Sequence, residues 1–426
     1  MSRSTDQIIG INLTIKSRKM GCANGEDRIS NLPIHVISDI LSLMSTKDAV
    51  RTSVLSKDWK YNWTFIYNID IKSLKIREKP SFLNFMGRIL LHTHHNIQSF
   101  SLTCFEDLGI SQMTEWISVV LRRNVESLKV IYLHKGIVLP QSLLSCTSLR
   151  ILKLEWPCTL KCSDTDPLIF SFPLLETFEL RGCNWLNVKC VEIYAPALTI
   201  LHSMSSFEVG FNDYIVKIYG DRIVEFTSWG GLPRLFVLPG SQVVYAELGY
   251  YSTSTYPLYQ TGLQVRMLLQ GFSSLMHLKI WGDLAKAIAF LGNNSPLPRF
   301  DMLERLDTYD KLNVSALFEL LHAAPSLKSL NVCLRDLDDH DYDGVKPVPS
   351  CLVSRLEEIT FMYSSERTPQ LHLAKFLLKN ATKLKIVHLC GSRPRDHSLL
   401  TSDKTVKQLI LRLPRGSTCS TIVEDW

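Results

Sequence analysis

The 426-residue sequence predicts an α/β chain in three parts. A small segment of three helices comes first. A solenoid of short repeats with one strand each follows, and a C-terminal unit closes it. Three observations predict this order. The run from Asp27 to Trp63 carries apolar residues at helical spacing. An apolar–x–x–apolar–x–apolar pattern then returns between Ile97 and Leu384, in steps of about 26 residues. From Val348 onward the chain reads strand, helix, strand, helix, strand.

The first helix opens at Leu32-Pro33 and places Val36, Ile37, Ile40 and Leu41 on one face. Asn31 is its expected N-cap, and Pro33 suits the first turn. Thr46 is the expected cap of a second helix with Ala49, Val50 and Val54 as apolar residues. Ser56 starts a third, with Trp59 and Trp63. About forty residues cannot bury this much apolar surface in a core of their own. Part of it is therefore available to a partner.

These residues carry a family resemblance. DRIS-LP, I-D-IL, TKDAVRTSVLSK and W-x-x-x-W occur as a set, and the segment resembles the F-box of plant proteins. Five positions depart from the usual pattern: Ile34, His35, Ser45, Asp58 and Asn62. The resemblance implies an F-box over 27–72 that docks a Skp-type adaptor, and through it a cullin. The contacts it implies are Leu32, Pro33, Ile37, Ile40, Leu41, Leu55 and Trp59. Residues 1–26, with the basic Lys16, Arg18 and Lys19, are expected to form a flexible solvated tail.

A basic, Pro-containing linker is expected from Lys72 to Pro80. Clear copies of the repeat then begin at Ile97, Val125, Leu149, Leu175, Leu275, Leu327, Leu356 and Leu384. Weaker copies begin at Leu198, Ile223, Val243 and Leu303. The step falls within the 20–29 residue period of leucine-rich repeats. The last two apolar residues of each copy are two apart, so they share one side of a strand. Leu152 and Leu154 face inward, and Lys153 and Glu155 outward. Each repeat needs its neighbour to cover its apolar flank, which gives a curved solenoid. From Ser206 to Gln270 the period is weakest and glycines are frequent. That predicts either longer loops or poorly matched repeats.

WISVVLRRNVESLKVIYL, LPQSLLSCTSLRILKL, FPLLETFELRGC, YAPALTIL and LLHAAPSLKSLNV resemble the repeats that follow a plant F-box. VPSCLVSRLEEITFM, HLAKFLLKNATKLKIVHL and LILRLPRGSTCSTIVE resemble the FBD module that ends many such chains. The resemblance assigns 73–345 to leucine-rich repeats and 346–426 to an FBD module that caps them.

Composition narrows the function. The formal net charge of +6 is mild and spread over many residues. Lys153 stands beside Glu155 and Glu179 beside Arg181, so no single-sign stripe suits nucleic acid. No apolar stretch approaches the roughly 18 residues of a membrane span, and the N-terminus makes a poor signal peptide. The 11 cysteines read as reduced thiols of the cytoplasm or nucleus. Cys158 and Cys162, like Cys183 and Cys190, lack the spacing of a zinc knuckle. His92, His94 and His95 lie in a polar connection without carboxylate or thiol companions.

Asp339, Asp341, Asp343 and Gly344 copy the first half of an EF-hand loop, but Ser350 stands where its Glu should be. Pro347 and Pro349 also obstruct the exiting helix. GxSxG, HExxH and GxxxxGK[ST] are all missing, so neither a cofactor nor a metal is expected, and no catalytic set assembles. The chain thus reads as a non-catalytic substrate receptor of a Skp-cullin-F-box E3 ubiquitin ligase. Outward strand residues Glu155, Arg181, Lys279 and Trp281 are the candidate contacts to a protein substrate. A repeat scaffold that recruits no ligase stays open as the second reading, since Asp58 and Asn62 depart from the F-box pattern.

Overall fold

The computed structural model describes residues 29, 31–73, 79–93, 96–132, 139–161, 167–186, 188–204, 214–230, 235–237, 242–251, 258–290, 296–309, 313–334, 347–364, 371–392 and 407–425. The N-terminal tail, His94, His95 and the acidic run 339–344 lie outside them, as do the side chains of Cys158, Cys162 and Cys183. The chain forms two compact units, 1–160 and 161–426.

In the first unit, α1 spans Ile34–Ser42. Its N-cap is Pro33, not Asn31, because Asn31 lies in a turn closed by Leu32 N–H donating to Ile29 O (3.2 Å). Helix α2 spans Thr46–Arg51 and is capped by Ser45, not Thr46. The Ser45 hydroxyl accepts from Asp48 N–H (3.2 Å). Thr46 is buried instead, and its hydroxyl accepts from Asp70 N–H (2.8 Å). Val54, expected on the second helix, ends a short 3₁₀ segment, Thr52–Val54, and the third expected helix is a longer 3₁₀ segment, Asp58–Phe65. Ser56 acts as a cap there, accepting from Trp59 N–H (3.3 Å).

Two serines on the inner face of α1 join it to the strand that follows. Ser38 donates to Phe65 O (2.6 Å), and Ser42 accepts from Tyr67 N–H (3.1 Å). That strand, β1 (Asn68–Ser73), begins inside the span 27–72 that the resemblance assigned to the F-box. Ile66, Ile69 and Ile71 are buried with the repeat spacing, an earlier copy hidden behind the F-box. Helix α3 then spans Lys79–His92. Of the linker expected from Lys72 to Pro80, residues 74–78 lie outside the described residues, and its ends belong to β1 and α3. Then come β2 (Ser99–Cys104), α4 (Ile110–Leu121), β3 (Ser127–Tyr132) and β4 (Ile151–Lys161). All pairings from β1 to β4 are parallel, with Ile69, Phe100, Leu128 and Leu152 level and buried. Arg123 donates to Thr93 O and to Leu90 O and so satisfies the C-terminal carbonyls of α3.

The second unit opens with alternating strands of two sheets: β5 (Leu168–Ser171), β6 (Thr177–Leu186), β7 (Cys190–Tyr194), β8 (Ile200–Met204), β9 (Ile215–Tyr219), β10 (Glu225–Trp229) and β11 (Leu235–Val237). Next are β12 (Tyr245–Tyr250), α5 (Leu258–Gln270), β13 (His277–Gly282), α6 (Leu284–Phe290), β14 (Arg305–Thr308), α7 (Val314–Ala323) and β15 (Ser329–Cys333). The last are α8 (Ser350–Ser354), β16 (Glu358–Ser364), α9 (Leu371–Asn380), β17 (Ile386–Ser392) and β18 (Ser420–Asp425), with a helical turn at 407–411 before β18.

Strands β6-β8-β10-β12-β13-β14-β15-β16-β17-β18 run in that order in one parallel sheet. Level across it lie Phe178, Leu201, Phe226, Ala246, Leu278, Leu306, Leu330, Ile359 and Val387. All are buried. Each such side chain contributes roughly 1.5–3 kcal/mol where it is large. This register in a parallel sheet fits a repeat array. It continues through the stretch from 206 to 270, where β10 and β12 keep the register, so among the described residues these are poorly matched repeats.

The back of the array changes character along the chain. From 168 to 237 it is a second parallel sheet, in the order β11-β9-β7-β5. Short alternating runs such as CVEIY and IVKIY make it, since they bury every second side chain. After 258 the backing is helical. There Arg266 is buried, and its Nη2 donates to Ile288 O and to Glu319 Oε2, both 2.7 Å, which ties α5 to α6 and α7. The fold is therefore mixed α/β, as expected from the sequence.

Candidate functional site

Two surfaces stand out, one in each unit. The first is aliphatic and built from the N-terminal helices. Leu43 is 86% exposed, Val54 78% and Leu55 66%; Ile34, Ile40 and Met44 are also exposed. Short helices with tight turns cause this. The stripe of α1 buries Ile37 and Leu41, and α2 buries Ala49, leaving the residues between without cover. Isolated apolar residues are common on surfaces, but so many within about twenty residues mark an interaction site.

The implied adaptor contacts divide in two. Pro33, Ile40 and Leu55 are exposed, and Leu32 is half-buried. Ile37, Leu41 and Trp59 are buried and face the unit's own core. The i, i+3, i+4 stripe of α1 that singled out Ile37 and Leu41 therefore also packs the helix onto its own unit. Ile34, Leu43 and Val54 belong to the exposed face and were missed, because a pattern of inward positions does not point to them.

The second surface is the outward side of the strands in the second unit. Two positions per repeat face outward there, and each forms a lane across the sheet. One lane holds His202, Thr227, Glu247, Lys279, Asp307, Asn331, Thr360 and His388, level from strand to strand. Two residues further along lie Met204, Trp229, Gly249, Trp281, Tyr309, Cys333, Met362 and Cys390. Tyr309 follows the last residue of β14 and continues the ladder, donating N–H to Ile280 O (2.9 Å). The first lane is polar throughout. From β8 to β17 the second has no charge, and Arg181 on β6 and Glu424 on β18 are level with its two ends.

The charges of the polar lane are met locally. Asp307 has no exposed side-chain surface; it accepts from Asn331 Nδ2 (2.6 Å) and Arg305 Nε (3.0 Å) and lies 2.7 Å from His277 Nε2. His202 pairs with Glu225 (2.9 Å) and His388 with Glu358 (3.1 Å). The Tyr245 hydroxyl donates to Glu247 (2.6 Å), while Lys279 Nζ lies 5.4 Å from the Tyr245 ring centroid. Burial, then the bond to Glu247, pushes the Tyr245 phenol above its ordinary range. In the second lane Trp281 stacks on Tyr309 at 3.8 Å and meets Trp229 at 5.2 Å. Gly249 lies between the two tryptophans, and a Cβ there would meet the Trp229 ring at 2.7 Å. Glycine is what lets the indole lie across the strand.

Of the expected substrate contacts, Lys279 and Trp281 sit together on β13 within this surface. Arg181 is exposed at the same level as Met204 on β6, and its Nε donates to Glu179. Glu155 is half-buried on β4 of the first unit. Trp281 is not a lone exposed indole but one member of a half-buried stack. Trp229, Tyr245, Asp307 and Tyr309 were missed. A signal existed: each falls two, four or six residues after the start of a weak copy, which the apolar pattern alone undervalues.

Comparison with known proteins defines the class. The family model described as F-box domain matches residues 29–64, and the one described as FBD matches residues 346–389. The chain therefore carries an F-box near its start and an FBD near its end. It is similar over most of its length to plant proteins with both. An FBD-associated F-box protein of Arabidopsis thaliana is 27% identical, covering 94% of each chain. An F-box/FBD/LRR-repeat protein of the same plant is 26% identical over 93% of this chain and 96% of its own length. A third, named as a putative F-box/FBD/LRR-repeat protein, is 28% identical over 95% of this chain and all of its own. Among the described residues no helix is long and apolar enough to cross a membrane.

Proposed function

We propose that this chain is the substrate-recognition subunit of a Skp-cullin-F-box E3 ubiquitin ligase. The observation that carries the reading is the F-box itself, whose Leu43, Val54 and Leu55 stand exposed. An aliphatic face of that kind gains by burial against a Skp-type adaptor, which in turn holds a cullin. Leu32, Pro33, Ile40 and Leu55 are the adaptor contacts in this reading. Ile37, Leu41 and Trp59 support them from beneath.

The strand wall holds a target protein, with Arg181, Lys279 and Trp281 among its contacts; Glu155, on the first unit, is a further candidate contact. The chain itself makes no covalent bond. It raises the local concentration of substrate lysines beside the ubiquitin-loaded enzyme, which is catalysis by proximity. Leucine-rich repeats over 73–345 form the wall, and the FBD module over 346–426 ends it. Strands β16 to β18 keep the register of the preceding repeats, which supports a continuous array. The expected place of work is the cytoplasm or nucleus.

Affinity purification of the full chain, with neddylation or the proteasome blocked, tests the proposal. Adaptor and cullin should co-purify. If the folded chain recovers partners but neither adaptor nor cullin, it is a repeat scaffold without a ligase.

A further inference from the structure

The two lanes of the second unit carry information about the shape of what they bind. This inference rests on reading the wall as the substrate surface. From Met204 to Cys390 the uncharged lane crosses successive strands, with Gly249 and Cys333 buried in it, and the polar lane runs beside it two residues away. A ligand lying across the strands therefore meets an apolar stripe and a polar stripe at once. We propose that the partner presents an amphipathic α-helix, laid perpendicular to the strands with its apolar stripe on Trp229, Trp281 and Tyr309.

The spacing favours a helix. Neighbouring strands lie about 4.8 Å apart. A helix advances about 5.4 Å per turn, so residues at i, i+3 or i+4 and i+7 fall on successive strands. Same-side residues of an extended peptide lie about 6.6 Å apart and lose register within two strands. Charge narrows the partner further. Asp307 has the Arg305 guanidinium beside it, and Glu225 and Glu358 each meet a histidine ring on the wall. No single-sign field remains to select a polyanion or polycation. Glu247 and Lys279 stand level on adjacent strands beside the aromatic stack, and both turn to Tyr245. They suit a helix whose flanks carry both signs of charge.

Selection from two display libraries against the full chain tests this. One library randomises a helix face on a rigid scaffold. The other randomises the same number of residues in a linear peptide. The expected binders come from the helical library, with apolar residues three and four apart. They should bind at least tenfold more weakly to Trp281→Glu. Met362→Lys, which leaves the aromatic stack intact, should weaken them as well. Binders from the linear library, binders indifferent to both variants, or no binders from either would overturn the proposal. Adaptor co-purification from the same preparations separates the two readings. Helix binders without adaptor would remove the ligase and leave this inference standing; adaptor without helix binders would do the reverse.

Discussion

The aliphatic face of the F-box and the strand wall of the second unit are both candidate binding surfaces, built in opposite ways. On the F-box face the exposed residues are apolar, and Leu43, Val54 and Leu55 are more than half exposed. Val54 and Leu55 are among the most exposed of them. On the wall the residues are already engaged with one another. Asp307 has three partners and Trp281 has two aromatic neighbours. The first construction suits one unvarying partner whose binding is dominated by apolar burial. The second fixes the position of polar groups before any partner arrives, which favours discrimination among partners. A substitution on the first surface should therefore act on binding alone. One on the second should act on stability as well.

The largest expected effect is on the F-box face. Val54→Glu with Leu55→Glu places two charges where an adaptor would bury aliphatic side chains. Adaptor binding should fall at least a hundredfold, about 2.7 kcal/mol, with little change in melting temperature. Leu41→Ala should do the opposite, costing roughly 2–5 kcal/mol of stability and losing the adaptor only through unfolding. Paired binding and melting measurements check both. A double variant that melts much earlier would show the face to be part of the core and would erase the contrast.

Smaller effects follow on the wall. Asp307→Ala leaves Asn331 Nδ2 and His277 without their carboxylate, at about 1–3 kcal/mol for buried groups left unpaired. Gly249→Ala drives a methyl group toward the Trp229 ring and should cost about 1–3 kcal/mol. Its diagnostic is tryptophan fluorescence, because the Trp229–Trp281 contact must open. An unchanged spectrum with unchanged stability would mean that the two rings do not share the surface as described.

Much of this fold was legible because its information is periodic. Residues such as Leu278, Leu330 and Val387 are spaced by the strand and by the repeat together, so the sequence carries the register twice. Two things escaped. The repeat at Ile66, Ile69 and Ile71 was hidden because the F-box pattern already claimed those residues. The backing sheet of β5, β7, β9 and β11 was hidden because its short alternating runs sit between repeat starts. Site residues were harder to read. Ile37 and Trp59 looked like contacts because apolar periodicity marks what faces a core, and it cannot say whether the core is the protein's own or shared with a partner. Tyr309 and Trp229 needed the level of neighbouring strands, which only pairing supplies.

The smallest expected effect belongs to a group on neither surface. The Cys351 thiol lies buried on α8 and donates to Leu321 O on α7 (3.3 Å). Burial pushes it up to about 11. A raised pKa means that the folded state holds the proton more tightly than the unfolded chain. The resulting stability is fully present below the unfolded thiol's range near 8.5–9 and is lost as pH rises through about 11. Unfolding by urea at pH 8 and at pH 9.5 should therefore show a decline of about 1 kcal/mol attributable to this thiol. The same decline should be absent in Cys351→Ala, whose overall stability is lower but whose pH slope is flatter. Alkylation gives an independent reading, since only the thiolate reacts. In the folded chain at pH 8, Cys351 should react far more slowly than the half-buried Cys419. Equal rates for the two would place Cys351 at a site that opens readily, and α8 would then be a mobile element, not part of the packed backing of the wall.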